Sequence, residues 1–146
     1  MKPTVSTLVC AGCGWAAPSP GELRYPFRCR KAGRGGADHV VTRKLDSFRV
    51  DFLRGDDPNP FIRHREMSHA WHALRRRGLT DEAYVDIVRR LDDAVAAVDG
   101  RGFRTTPFGR HDALSERLGF EEGGGVWVKD ETANVSGSHK ARHLMG

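Results

Sequence analysis

The longest regular pattern in the chain is a run of apolar residues at helical spacing. At intervals of three and four, one face of the predicted helix collects Tyr84, Ile87, Val88, Leu91, Ala94, Val95 and Val98. Thr80 before this run is a good N-cap, and Asp81 and Glu82 suit the positive end of the helix dipole. Gly100 is a fitting C-terminal stop. The pattern therefore predicts a long amphipathic helix between Thr80 and Gly100.

A shorter helix is predicted immediately before the long one. Its apolar positions fall on one face, which contains Met67, Ala70, Trp71 and Leu74. Gly78 should end this helix. Further upstream, Phe48, Val50 and Phe52 alternate with polar residues, and this alternation predicts a strand. The middle of the chain is therefore expected to hold one strand and two helices.

Short elements are predicted towards both ends of the chain. Residues 38–41 and 126–129 are typical of short strands, and residues 112–118 are typical of a short helix. Gly123–Gly125 indicate a turn, and a helix should open at Ser138. The elements together predict an α/β fold class with three segments, namely a cysteine-containing ribbon at 1–41, a connector at 42–59 and a third segment at 60–146.

The composition narrows the class of protein. The chain has 146 residues, of which 38% are hydrophobic and 29% charged, so a core is expected. No apolar run approaches about 18 residues and no export signal is recognisable, so no membrane span is expected and the cytoplasm is the default compartment. The net charge of +5 makes an anionic partner plausible. Three cysteines without an export signal do not indicate a disulfide framework.

The segment with the most chemical information is 129–142, Lys-Asp-Glu-Thr-Ala-Asn-Val-Ser-Gly-Ser-His-Lys-Ala-Arg. Small and hydroxyl residues precede a predicted helix start, where free main-chain amides can bind an anion, and Gly137 allows close approach. Lys140 then lies on the first helical turn, where a lysine beside a phosphate suits chemistry with a phosphate-bearing aldehyde. From the residues alone, the alternative is a simple helix cap with Lys140 as a solvated surface residue.

This segment resembles the lysine-bearing motif of the fold-type-II pyridoxal-phosphate enzymes. That family includes threonine synthase, the threonine and serine dehydratases, cysteine synthase and the tryptophan synthase β subunit. The motif positions filled here are Lys129, Glu131, Asn134, Ser136, Gly137, Ser138, Lys140 and Arg142. Upstream, Thr106-Pro107 is similar to the Thr-Pro-Leu segment of the family. The Cys-x-x-Cys-Gly start resembles the N-terminal ribbon of threonine-synthase-like members.

The resemblance implies specific roles for residues around the lysine. Lys140 would form a Schiff base with pyridoxal phosphate and move the α-proton of an amino-acid substrate. Ser138 and Asn134 would line the cofactor pocket. The tryptophan synthase β subunit is similar in having His directly before its lysine, which implies that His139 would lie near the cofactor. A packing or capping role is equally compatible with this residue.

The resemblance also implies an expected protein. The chain would be the N-terminal portion of a pyridoxal-phosphate-dependent lyase or synthase, threonine synthase-like or threonine/serine dehydratase-like, and a homodimer when full length. Its ribbon and helices would lead into the opening strand and helix of a layered catalytic domain. The family's glycine-rich phosphate loop lies downstream of the lysine, so the 146 residues are expected to be inactive alone.

The cysteines form a second candidate site. Cys10-x-x-Cys13 supplies half of a tetrahedral zinc site, and Cys29 supplies a third thiolate. The position expected for a fourth cysteine holds Ala32, so His39 or Asp38 would have to complete the site. The alternative is a ribbon of reduced cysteines held by packing.

A zinc-ribbon module that contacts nucleic acid is the alternative function. It draws on the cysteines, on the arginine run Arg75–Arg77 and on the net charge of +5. It leaves the segment around Lys140 unexplained, so nucleic acid is the less favoured partner and an amino-acid substrate the favoured one.

Overall fold

The computed structural model describes residues 5–19, 22–23, 26–33, 35, 38–50, 52, 55–121 and 123–145. In chain order its elements are β1 (Ser6–Cys10), β2 (Val41–Leu45), α1 (Pro60–Arg63), α2 (His69–Arg76), α3 (Asp81–Asp99), β3 (Phe108–Arg110), α4 (Asp112–Arg117), β4 (Trp127–Lys129) and α5 (Lys140–Met145). Single 3-10 turns cover Ser47–Arg49, Arg65–Met67 and Val135–Gly137. The chain is mixed α/β with small antiparallel sheets, which confirms the predicted class.

The chain divides into two compact units. The first comprises residues 1–55 and 63–87, and the second comprises residues 56–62 and 88–146. The cysteine-containing ribbon belongs to the first unit, and the segment around Lys140 belongs to the second. Each unit is therefore described separately.

The sheet of the first unit is an antiparallel ribbon of β1 and β2. The strands pair from Ser6 opposite Leu45 to Cys10 opposite Val41. After Cys10 the chain turns back along β1, held by main-chain hydrogen bonds of 2.8 Å. A ribbon is present, but its second strand is Val41–Leu45, which lies almost entirely in the segment predicted as a connector and not at the predicted residues 38–41.

Helix α2 packs on β1 through polar contacts at Ser6, which is only 1% exposed. The Ser6 hydroxyl lies 2.8 Å from His69 Nδ1, and Arg76 donates a 2.8 Å hydrogen bond to the Ser6 carbonyl. A buried hydroxyl and a buried carbonyl are thereby both satisfied, as a stable interior requires.

The predicted end of α2 at Gly78 is confirmed. Gly78 has a φ of +85° and donates its amide to the Arg75 carbonyl at 3.1 Å. The Leu79 amide donates to the Leu74 carbonyl at 3.2 Å. This pair of hydrogen bonds is the Schellman motif, which glycine favours because it has no Cβ.

Helix α3 has the predicted bounds. The Thr80 hydroxyl accepts a 3.1 Å hydrogen bond from the Ala83 amide, and Gly100 follows the helix with a φ of +80°. The apolar face is only partly covered by the described residues, since Tyr84 is 5% exposed but Val98 is 91% exposed. No described helix combines the length and the apolarity needed to cross a membrane.

The predicted strand through Phe48, Val50 and Phe52 is wrong. Residues Ser47–Arg49 form a 3-10 turn, and the Phe48 side chain is 99% exposed. The physical reason is the register of the ribbon, in which Leu45 already faces Ser6, the first residue of β1. Among the described residues, the Asp46 amide still donates to the Val5 carbonyl at 2.9 Å, and the main chain then enters the 3-10 turn that begins at Ser47. Residues 51, 53 and 54 of this segment lie outside the described residues.

The second unit contains a second antiparallel pair, β3 and β4. Phe108 faces Lys129 and Arg110 faces Trp127. The sequence predicts β4 and the helix α4 between the strands, but not β3, because three residues are too few to show alternation. The predicted glycine turn precedes β4. A Cβ at Gly125 would lie 2.6 Å from Arg110 Nε, so a side chain there would force Arg110 to move.

The core of the second unit centres on Phe103, which is 3% exposed. The Phe61 ring meets it edge-on with 5.0 Å between ring centroids. The Phe103 amide donates a 2.7 Å hydrogen bond to the Asp92 carboxylate, which ties the segment after α3 back to that helix. This segment leads to Thr106 and β3, and so places the residues that support the lysine segment.

Candidate metal centre and lysine loop

Four side chains meet at the end of the ribbon where β1 finishes. They are Cys10, Cys13, Cys29 and His39, and one ligand atom from each lies within 4.8 Å of all the others. Cys13 Sγ is 3.6 Å from Cys29 Sγ, and Cys10 Sγ is 3.4 Å from His39 Nδ1. Cys10 and Cys29 are buried, whereas Cys13 and His39 are half-buried. We call these residues the cysteine–histidine cluster.

Local turns aim the thiols into the cluster. Gly14, with a φ of +69°, donates its amide to the Cys10 carbonyl at 2.9 Å, which closes a tight turn and brings Cys13 back beside Cys10. The Lys31 amide points at Cys29 Sγ from 3.4 Å. These turns explain why glycine and short spacing accompany the cysteines in the sequence.

The three thiols have different acidities. Burial pushes the pKa of Cys10 upward, but hydrogen bonds from the Cys13 amide and from His39 outweigh it, so that the pKa of Cys10 lies below its usual value. A hydrogen bond from the Trp15 amide lowers the pKa of Cys13. Burial raises the pKa of Cys29. Because zinc binds thiolates, two of the three cysteines are biased towards the metal-binding form.

The distances in the cluster suit a tetrahedral ion. Two thiolates bound to one zinc lie about 3.8 Å apart, and a thiolate and an imidazole nitrogen lie about 3.5 Å apart. The observed 3.6 Å and 3.4 Å are close to these values. Three sulfurs and one nitrogen therefore form a group that could bind a metal ion. Of the two residues considered for the fourth position, the structure brings in His39, while Asp38 is exposed and not part of the cluster.

The segment between β4 and α5, residues 130–139, is called here the lysine loop. It ends at Lys140, which is the first residue of α5 rather than its third. The Lys140 side chain is exposed, and its amine makes no hydrogen bond or ion pair with any residue that the structure describes. The reactive group proposed from the sequence is thus accessible.

Asn134 makes hydrogen bonds that connect residues within the lysine loop. It is 0% exposed, and its Nδ2 donates a 2.8 Å hydrogen bond to the Ser138 carbonyl. Its main-chain carbonyl accepts the Gly137 amide at 2.9 Å. Its Oδ1 is buried without a hydrogen-bond partner among the described residues. In this geometry Asn134 shapes the loop, and direct contact with a cofactor stays a prediction.

The other residues of the loop are less buried. Ser136 has a φ of +56°, unusual for a residue with a Cβ, and donates its amide to the Asp99 carboxylate at 3.1 Å. The Ser138 hydroxyl accepts the Lys140 amide at 3.2 Å, so it helps to cap α5. His139 is exposed, and its ring lies edge-on to that of His143 with 6.3 Å between centroids. Ser138 and His139 both lie next to Lys140.

Behind the loop, four motif residues form one polar network centred on Glu131. The Thr106 hydroxyl donates to Glu131 Oε1 at 2.7 Å, and Lys129 Nζ lies 2.9 Å from the same oxygen. Arg142 Nη2 lies 3.3 Å from Glu131 Oε2 and donates to the Thr106 hydroxyl oxygen at 3.1 Å. Arg142 also donates to the Arg104 carbonyl at 2.7 Å. We call this group the Glu131 network.

The network shifts the pKa of the Glu131 carboxyl group. The Thr106 hydrogen bond, with help from the Lys129 and Arg142 charges, outweighs partial burial and lowers the pKa of Glu131. Sequence reasoning named Lys129, Glu131 and Arg142 as motif positions and did not foresee that they pair with one another. Their opposite charges were a signal of pairing, but the contribution of Thr106 could not be seen without the fold.

Comparison with known proteins gives no information on the function of either site. In comparisons with protein-family models, with curated proteins and with solved structures, this chain has no match. The interpretation of both sites therefore depends on the residues and contacts described above.

Proposed function

We propose that the chain carries the reactive lysine of a pyridoxal-phosphate-dependent amino-acid lyase or synthase, threonine synthase-like or threonine/serine dehydratase-like. The supporting observation is that the neighbouring cationic side chains differ in whether they have an ion-pair partner. Lys129 and Arg142 are paired with Glu131, whereas the amine of Lys140 is exposed and has no described partner. Among these three cations, Lys140 is the one available to bind an aldehyde carbon.

The residues around Lys140 fit an aldehyde-bearing cofactor. An attacking amine must be accessible, and that of Lys140 is. The part of the loop next to Lys140 contains the small residues Ser136, Gly137 and Ser138, and its shape is held by the Asn134 hydrogen bond to Ser138 and by the Ser136 amide on Asp99. A fixed loop holds the main chain of Lys140 in place and so limits the region that its amine can reach.

The chemistry of the proposal divides between cofactor and chain. When bound, pyridoxal phosphate supplies an electron sink for negative charge at the substrate α-carbon. Lys140 would accept and return the proton at that carbon as a general base and acid. Ser138 and His139 would contact the cofactor from the sides of Lys140, while Asn134 and the Glu131 network would orient the loop. The substrate class is an amino acid with a leaving group at Cβ or Cγ, as the resemblance implies.

Reductive trapping tests the assignment of Lys140. The complete gene product is mixed with pyridoxal phosphate, reduced with borohydride and digested, and the modified lysine is identified by mass spectrometry. We expect the mark on Lys140 and its loss in Lys140→Ala. Lys44→Ala, at an exposed position on β2, is the matched control and should leave the mark in place. A mark on another lysine, or none, overturns the proposal.

We also propose that the cysteine–histidine cluster holds one structural zinc ion. The observation that supports it is the convergence of four ligand atoms within 4.8 Å, which leaves no open position for substrate. Protein purified without metal and then given zinc should retain one ion per chain. A ratio near zero after removal of free zinc would exclude the site.

The zinc-ribbon module that contacts nucleic acid is the alternative proposal, since the cluster and the net charge of +5 are compatible with it. It predicts binding that weakens steeply as salt rises, because counterions are released from the phosphates. Absence of binding at low salt would exclude this alternative and leave the zinc site with a purely structural role.

A further inference from the structure

We infer that Cys13 and Cys29 are an oxidisable pair, which peroxide converts to a disulfide with release of the bound metal. The pairing follows from the sulfur positions alone. The metal release rests on the proposed zinc site. From the sequence, the Cys10-x-x-Cys13 spacing would favour a disulfide between those two neighbours instead, so the two pairings make different predictions.

The contacts inside the cluster favour the long-range pair. Cys13 Sγ is 3.6 Å from Cys29 Sγ, a direct contact between side chains. The Cys10 sulfur is instead engaged by His39 Nδ1 at 3.4 Å. A disulfide has a sulfur–sulfur distance of about 2.05 Å, so the sulfurs of Cys13 and Cys29 need to approach by about 1.5 Å.

Access to oxidant selects the sulfur that reacts first. Cys13 is half-buried, whereas Cys10 is 1% exposed and Cys29 is 3% exposed. A small oxidant therefore reaches Cys13 from solvent, and Cys29 lies directly behind it. This arrangement of an accessible sulfur with a buried sulfur in contact is typical of an attacking and a resolving cysteine.

Hydrogen peroxide is the oxidant class, and the reaction balances in two steps. The Cys13 thiolate attacks one peroxide oxygen, so an S–O bond forms, the O–O bond breaks, and the leaving hydroxide takes up a proton as water. The Cys29 sulfur then attacks the Cys13 sulfenic acid, so an S–S bond forms, the S–O bond breaks, and a second water carries away the Cys29 proton. Two thiols and one peroxide give one disulfide and two waters.

The oxidation would remove two of the four metal ligands. Zinc is held by thiolates, and the sulfurs of a disulfide carry no negative charge to donate. Cys10 and His39 would remain, and two ligands do not form a closed structural site. Zinc should therefore leave as the disulfide forms, in a ratio of one ion to one disulfide.

The experiment maps the disulfide and measures zinc together. Zinc-loaded and metal-free protein are treated with hydrogen peroxide, remaining thiols are blocked with iodoacetamide, and the chain is digested with trypsin. Cleavage at Arg24 and Arg28 separates Cys29 from the peptide that contains Cys10 and Cys13. We expect the two peptides to be joined, and Cys10 to carry the iodoacetamide mark. A chromophoric chelator should detect the released zinc with the same time course.

Variants test the pairing independently. Cys13→Ser and Cys29→Ser should abolish the cross-link, and Cys10→Ser should keep it. The Cys10 mark in the wild-type chain gives the same information if a variant fails to fold. A disulfide within the peptide that holds Cys10 and Cys13, or an iodoacetamide mark on Cys13, overturns the inference.

The outcomes separate this inference from the proposed zinc site. If no zinc binds, the zinc proposal and the metal release both fail, but the metal-free chain still shows which cysteines pair. If zinc binds and peroxide produces neither the cross-link nor the release, the redox inference fails and the zinc proposal survives.

Discussion

The cysteine–histidine cluster and the lysine loop arrange their reactive groups in opposite ways. In the cluster, the reactive side chains themselves converge, and four ligand atoms lie within 4.8 Å of one another. In the lysine loop, the supporting side chains converge on Glu131, while Lys140 is exposed and its amine has no partner among the described residues. The first arrangement is suited to hold an ion, and the second is suited to present one group to a ligand.

The comparison indicates which interactions would hold each site in its conformation. A tetrahedral metal can supply the force that gathers three thiolates and an imidazole, since zinc binding contributes directly to folding in small ribbons. The lysine loop has its own support in the Asn134 hydrogen bond and the Glu131 network. The cluster should therefore depend strongly on its ion, and the loop should lose stability in small steps as individual contacts are removed.

The largest effect is expected at a cluster ligand. Cys29→Ser should weaken zinc binding by more than about 100-fold, because loss of outer partners alone costs 10–100-fold. The measurement is competition with a chelator of known affinity. His39→Cys should retain the ion, since four thiolates also form a tetrahedral site. Asp38→Ala is the matched control, and a loss of zinc there would show that Asp38 and not His39 completes the site.

The next effect is expected inside the lysine loop. Asn134→Ala removes the hydrogen bond to the Ser138 carbonyl at a fully buried position and should lower the free energy of unfolding by about 2 kcal/mol. Urea unfolding followed by tryptophan fluorescence measures it. Thr132→Ala, an exposed neighbour, should change the value by less than about 0.5 kcal/mol. Equal effects of the two variants would contradict an internal role for Asn134.

A smaller, pH-dependent effect is expected at Glu131. Glu131→Gln should lower the free energy of unfolding by about 1 kcal/mol at neutral pH, since its pairs are partly solvated. Because the pKa of Glu131 is lowered in the folded chain, its stabilisation is complete above the ordinary value of 4.5 and is lost as the pH falls below it. The wild type and the variant should therefore converge in acid.

Urea midpoints at several pH values measure this difference. Glu116→Gln, an exposed position on α4, is the matched control and should show no such convergence. A difference that stays constant down to the acid range would show that shape, not charge, makes Glu131 important.

The smallest effect is expected at Ser136, and it has the opposite sign. Ser136 has a φ of +56°, so Ser136→Gly should stabilise the loop by about 0.5 kcal/mol, because glycine adopts this conformation without strain. The amide that donates to Asp99 is kept. Ser138→Gly, at an extended φ of −142°, should destabilise instead. The urea midpoint decides both signs, and a loss of stability in Ser136→Gly would show that the serine side chain itself is needed.

The helix limits could be predicted from the sequence because their signals are local. Thr80 caps α3 within three residues, and Gly78 and Gly100 end α2 and α3 with positive φ angles. The same local reasoning failed for Phe48, Val50 and Phe52, because alternation describes a strand only where a partner strand exists. Among the described residues, the pairing of β2 with β1 runs from Val41 to Leu45 and does not extend to these positions.

The sequence by itself determined which candidate reactive side chains this protein carries and at what spacing. Three cysteines near a histidine, and a lysine after a loop of small residues, could be identified because residue type and short spacing are local properties. Only the tertiary structure decided which groups meet. It placed His39 rather than Asp38 beside the thiols, and it joined Thr106 to Glu131 across 25 residues of chain. Such encounters depend on how distant segments pack, which local spacing does not encode.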